Sequence, residues 1–202
     1  MRAYAATLNA LTWLNSTVLA VGRGIAWVAM ALMVAVILAQ VFWRYGLDSP
    51  LSWPEEAARG LMIWMMGVIA PSAWRWGGFV AIDMLPSALP PRLAAALRLL
   101  ILLLAFGVLL FLLDQAWTQY TAKMLFNSSG LNRLLQDSGI NQLLGTNIEF
   151  RTTTIFLAMS VCFAAMISVT VELVMRAVGR LIYGADAFPD PDLPYAMVGA
   201  AE

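Results

Sequence analysis

Residues 24–43 read GIAWVAMALMVAVILAQVFW, twenty consecutive positions without a charge and rich in Ala, Val, Ile and Met. A bilayer core about 30 Å thick is crossed by a helix of roughly 20 apolar residues, so this run predicts a membrane span. Thr152–Val171 is a second uncharged run of 20, extendable to Met175. Two shorter windows lie between them, Gly60–Trp74 between Arg59 and Arg75, and Leu99–Leu113 between Arg98 and Asp114. Each reaches spanning length if it continues past an arginine whose stem snorkels to the interface, through Ala57–Arg59 in one and Leu93–Leu97 in the other. The expected architecture is therefore an all-α integral membrane protein in a single domain, 1–182, with spans near 24–43, 57–76, 93–113 and 152–175.

Composition agrees. Of 202 residues 61% are hydrophobic and only 12% charged, about half the charge of an ordinary soluble domain, which excludes a soluble class. Twelve Lys+Arg balance twelve Asp+Glu, leaving no basic footprint for nucleic acid. There is no His and one Cys, so imidazole-ligated haem, His-containing metal sites, a His general base and an internal disulfide are all excluded. Cys162 falls among apolar residues of the last span, and Gly77-Gly78 lacks the Lys of a phosphate-binding loop. The chain is expected to be no enzyme and to carry no cofactor.

The flanks give orientation. Trp27, Trp43, Tyr45, Trp53, Trp74, Trp76, Trp117 and Tyr120 mostly gather at span ends, where amphipathic rings favour the headgroup level; Trp64, in mid-span, reads as a packing residue. Four spans put both termini on one side with Arg2, Arg23, Arg75, Arg92, Arg98, Arg176 and Arg180, against Arg44, Arg59, Lys123, Arg133 and Arg151 opposite. That bias predicts cytoplasmic termini. No cleavable signal is expected, because the first long apolar run starts late and is too long.

Residues 2–22, with Tyr4, Leu8, Leu11, Leu14 or Asn15, and Val18 at helical spacing, read either as an amphipathic interfacial helix or as an extension of the first span. After the helix-breaking Asn127-Ser128-Ser129-Gly130, the leucines of 131–144 predict short periplasmic helices within 127–150. These lie on the membrane or a partner, or else pack on the chain's own bundle. Pro71 should bend the second span, and the Pro- and Asp-rich residues 183–202 read as a disordered cytoplasmic tail.

The charges are densest over residues 40–59, QVFWRYGLDSPLSWPEEAAR. Ser52 is placed to N-cap the second span, with Pro54 in the first turn, Glu55 at the capping-box position and two acids at the positive end of the dipole. Arg59 is i+4 from Glu55 and i+3 from Glu56, while Gln40 and Arg44 are one turn apart at the end of the first span. These five could form a polar cluster that fixes helix register, binds a partner or relays ions. Glu172 and Arg176 make an i, i+4 pair that reads as an interfacial salt bridge. No charge lies at a span centre, where ion-coupled transporters place carboxylates or broken helices. Small residues recur four apart at Ala31, Ala35, Ala39 and at Ser160, Ala164, Ser168, faces that let helices pack closely.

Gln40-Val41, Arg44-Tyr45, Ser52-Trp53, Glu55-Glu56 and Ala58-Arg59, in that spacing, resemble the motif of the small membrane subunit (Q, or DctQ-like) of TRAP transporters, the tripartite ATP-independent periplasmic systems. That family tends to carry an Arg, a His and an Asp after its second span. Here Arg75 and Asp83 are present, but Phe79 stands where the His would align, so no role of that His transfers. The resemblance implies a scaffold in the bacterial inner membrane that stabilises a large multi-span M subunit without itself binding substrate. The M subunit would carry sodium and an organic acid delivered by a periplasmic P subunit. Membrane lipids are further neighbours. It also implies structural or interface roles for Gln40, Arg44, Tyr45, Ser52, Trp53, Glu55, Glu56, Arg59, Arg75 and Asp83, and segment 127–150 could border the binding protein's docking surface. The alternative is an autonomous four-helix homodimeric transporter, which would depend on an embedded carboxylate.

Overall fold

A computed structural model describes residues 2–49, 51, 53–77, 91–121 and 153–183. They form four α-helices: α1 Arg2–Gly46, α2 Pro54–Arg75, α3 Pro91–Thr121 and α4 Thr153–Tyr183. The expected helices of 127–150, the tail from 184, Ser52, Phe79 and Asp83 lie outside the described residues.

α1 is one helix of 45 residues, about 68 Å at 1.5 Å per residue and more than twice a bilayer core. Residues 2–22 are thus an unbroken extension of the helix that carries the first apolar run. Its buried face runs through Leu8, Asn15, Leu19, Ala26 and Ala29, whereas Leu14 and Val18 are half-exposed. Of the two residues the spacing left open, Leu14 or Asn15, it is Asn15 that turns inward, and Leu19 takes the place of Val18. A buried asparagine within an apolar face is the reason. Spacing does not choose between the leucine and the asparagine, and an amide with partners on a facing helix holds the inward position. The end of α1 has Arg44 in its last turn, suited to the negative pole of the helix dipole. Beyond it Asp48 adopts φ 48°, and the Ser49 N–H donates to the Trp43 carbonyl at 3.2 Å.

Three helices, α1, α3 and α4, are long and apolar enough to cross a membrane. α2 has the length, 22 residues or about 33 Å, but Glu55, Glu56, Arg59, Pro71, Ser72 and Arg75 dilute its hydropathy. It begins one residue later than the capping pattern suggested. The first i to i−4 bond runs from the Ala57 N–H to the Trp53 carbonyl at 3.0 Å, placing Trp53 at the N-cap and Pro54 at the first helical position. Proline fits there because that N–H has no intrahelical partner. Glu55 and Glu56 still occupy the first turn. α2 continues through Pro71 and ends where Gly77, at φ 70°, turns left-handed and donates to the Trp74 carbonyl at 3.3 Å.

The chain forms two compact units, one from Met1–Ala20, Ala70–Leu112 and Phe163–Glu202, the other from Val21–Ile69 and Leu113–Cys162. The second is packed through small residues. A Cβ on Gly22 would lie 3.0 Å from the Val68 carbonyl oxygen, and one on Gly67 would lie 3.1 Å from that of Ala158. The backbone of α2 thus approaches those of α1 and α4 so closely that a methyl group there would need its neighbour to give way, and Ala26, Ala29, Ala116, Ala158 and Cys162 of the same unit are buried. Ala31 and Ala35, by contrast, are exposed. The first unit buries Leu8, Leu19, Leu102, Leu109, Val169 and Ala177 around a polar centre.

Candidate functional site

That polar centre is built on Glu172, which is completely buried. Its Oε1 accepts from Arg75 Nη2 at 2.9 Å, from Arg176 Nη2 at 3.0 Å and Nε at 3.3 Å, and from the Thr12 hydroxyl at 3.1 Å. Its Oε2 accepts from Asn15 Nδ2 at 2.8 Å. The position of each donor follows from helix geometry. Thr12 and Asn15 are three apart on α1, so they share a face, and Glu172 and Arg176 are four apart on α4. Arg75 comes from the last turn of α2.

Around the carboxylate the pairing continues. The Thr12 hydroxyl, while donating to Glu172, accepts from Arg176 Nη2 at 3.0 Å, and the Thr12 carbonyl accepts from Arg75 Nη2 at 3.4 Å. Asn15 Oδ1 accepts from the Ser168 hydroxyl at 2.7 Å, and Asn15 Nδ2 also donates to the Ser168 carbonyl at 3.3 Å. Trp74 Nε1 donates to the Thr170 hydroxyl at 2.9 Å, which in turn donates to the Met166 carbonyl at 2.7 Å. The Tyr4 hydroxyl donates to the Met175 carbonyl. Three helices are thereby tied by side chains at one level.

Chemically this is a lock. A buried carboxylate is tolerated only when paired and hydrogen-bonded, and here two guanidinium groups, a hydroxyl and an amide meet it. Five donor contacts from three helices converge on the two oxygens of Glu172. Ser72 Oγ and Arg75 Nε are buried without a partner. No group of three or more Cys, Asp or Glu able to hold a metal occurs among the described residues.

The residues singled out from sequence fall into different settings. Arg75 joins Glu172. Glu55 and Arg59 pair at 2.9 Å, with side chains 73% and 60% exposed. The Arg44 guanidinium lies 5.7 Å from the Tyr45 ring centre, and both residues are exposed. Gln40, Trp53 and Glu56 are half-buried. The i, i+4 spacing pairs Glu172 with Arg176, as the structure does, and the structure adds that the carboxylate is buried at the centre of the first unit's core. Thr12 and Thr170 carry no sequence signal, and Asn15, Ser168 and Trp74 stand out only as a stripe position, a small residue and a span-end aromatic, not as partners of Glu172. The usable signal was local: Ser168, Glu172 and Arg176 form one i, i+4, i+8 stripe on α4, and a buried acid needs donors from elsewhere.

The outward surface is apolar. Trp27, Leu38 and Phe42 on α1 and Leu104, Val108 and Phe111 on α3 are each more than half exposed. Exposed large side chains of this kind require lipid or another protein around them. Long apolar helices and an apolar exterior define a multi-pass membrane protein. Residues 33–180 match the family model of the DctQ component of tripartite ATP-independent periplasmic transporters. The chain belongs to this DctQ family, an inner-membrane component of TRAP transporters. It is also similar to a protein of Haemophilus influenzae named as a candidate TRAP transporter small permease, with 29% identity over 91 residues. That match covers 45% of this chain and 56% of the relative, so the chain spans about half the length of the curated protein it matches.

Proposed function

We propose that this chain is a scaffold subunit that crosses the membrane four times, α2 included, with both termini in the cytoplasm. It stabilises a larger M subunit that couples sodium entry to import of an organic acid supplied by a periplasmic P subunit, and it binds no substrate itself. The observation that carries this reading is the division of labour between polar and apolar groups. The buried acid of α4 is engaged by five donor contacts within the chain, while α1 and α3 present apolar side chains outward. A transporter acting alone needs an embedded carboxylate free to exchange its ligand, and Glu172 is not free in that sense. Glu55, the other acid considered for that role, pairs with Arg59 at an exposed position.

The motif residues Gln40, Arg44, Tyr45, Ser52, Trp53, Glu55, Glu56 and Arg59 are then interface residues, supported by the exposure of Arg44, Tyr45, Glu55 and Arg59. Arg75 serves inside the chain, and Asp83 follows it in the connection after α2. Co-expression with a large multi-span partner should give a stable co-purifying complex, and liposomes holding this chain alone should show no uptake. Robust sodium-driven uptake by the purified chain in the absence of any partner would overturn the proposal.

A further inference from the structure

We infer that α2 does not keep its place in the bilayer by its own hydropathy, and that the C-terminal helix α4 latches it there through Arg75–Glu172 and Trp74–Thr170. The inference rests on the reading that α2 spans the membrane. By length and composition α1, α3 and α4 are apolar enough to cross a membrane, and α2, diluted by its charges and Pro71, is not among them. Its last two turns carry Pro71, Ser72, Trp74 and Arg75; the Trp74 indole and the shorter contact of Arg75 end on α4, and Arg75 makes a longer one to the Thr12 carbonyl of α1. The acceptors there, Thr170 and Glu172, have no exposure at all.

Each partner leaves the other stranded if separated. Without α4 the Arg75 guanidinium loses its carboxylate partner, and without Arg75 the buried Glu172 loses one of its two cations. In the other unit the α2 backbone at Gly67 closes directly on Ala158 of α4, a separate contact between the same two helices. The latch partners are 96 and 97 residues apart in sequence. At synthesis rates of about 5–20 residues per second, α2 therefore waits roughly 5–20 s for its partner. α1, already in place, contributes Thr12 and Asn15 to the same carboxylate.

The test uses the full-length chain with Cys162→Ala and one introduced thiol, Leu47→Cys before α2 or Gly78→Cys after it. A membrane-impermeant maleimide is applied to spheroplasts and to inverted vesicles. In the otherwise native chain the two positions should label from opposite sides; labelling from one side would overturn the spanning reading itself, whatever the latch does. Adding Glu172→Ala should bring Gly78→Cys to the Leu47 side in about half the chains or more, since α2 then loses its ion pair with α4. Replacing both partners, Arg75→Leu with Glu172→Leu, makes α2 more apolar and should restore opposite-side labelling at normal yield. Unchanged labelling in the Glu172→Ala chain would overturn the inference. So would a double variant that mislabels or fails to accumulate, and this second chain decides the matter if the single variant is degraded.

Discussion

Glu55 with Arg59 in α2, and Glu172 with Arg176 in α4, are each an acid followed four residues later by an arginine, and the pairs close at 2.9 and 3.0 Å. The first pair is largely exposed. The second has a carboxylate with no exposure and an arginine side chain only 12% exposed, and it recruits Arg75, Thr12 and Asn15 from two other helices. Spacing along a helix thus determines whether two charges can meet, and burial determines what the meeting is worth. An exposed i, i+4 pair contributes about 0.3–0.5 kcal/mol, whereas breaking a buried pair leaves an uncompensated charge at about 3–5 kcal/mol.

The largest effect should follow from Glu172→Ala. Removing the shared acceptor takes the counter-charge from two largely buried arginines, and the purified subunit should lose about 3–5 kcal/mol, seen as a collapse of its thermal transition in detergent. A transition within a degree of the native one would mean that the network is decorative. Next in size is the small-residue packing. Gly67→Ala pushes a methyl group to 3.1 Å from a backbone oxygen that cannot swing away, and should destabilise by about 1–3 kcal/mol. Gly24→Ala, on a glycine with nothing within 4 Å, is the control and should be neutral or mildly stabilising.

Smaller still is Trp74→Phe, which removes the indole donor to Thr170 but keeps an aromatic ring. Hydrogen bonds between membrane helices average about 0.6 kcal/mol, so a drop of only a few degrees in the thermal transition is expected. The smallest effect on the chain alone belongs to Glu55→Ala, under about 0.5 kcal/mol. Its consequence should appear instead in assembly, as a lower yield of complex with the large subunit at unchanged stability of this subunit. Arg44→Ala and Glu56→Ala should likewise reduce that yield without altering substrate preference.

The helices were legible because hydropathy over 20 residues is a property of the chain alone. Gly24–Trp43 and Thr152–Val171 announce themselves, and Pro54 with two following acids marks where α2 opens. The Glu55–Arg59 pair was legible for the same reason, since both members lie on one turn of one helix. The Glu172 network was only half legible. Its α4 members follow from i, i+4 arithmetic, but which of the arginines crosses to it, and that Asn15 rather than Leu14 turns inward, depend on packing between segments more than 90 residues apart. Residues 2–22 were ambiguous because an interfacial helix and a helical extension share one periodicity.

A double-mutant cycle on each pair, Arg75/Glu172 against Arg59/Glu55, measured by reversible unfolding of the purified subunit, tests the contrast most directly. The account predicts a coupling of about 2 kcal/mol or more for the first and under about 0.5 kcal/mol for the second. Equal couplings, or a larger one for Arg59/Glu55, would contradict it.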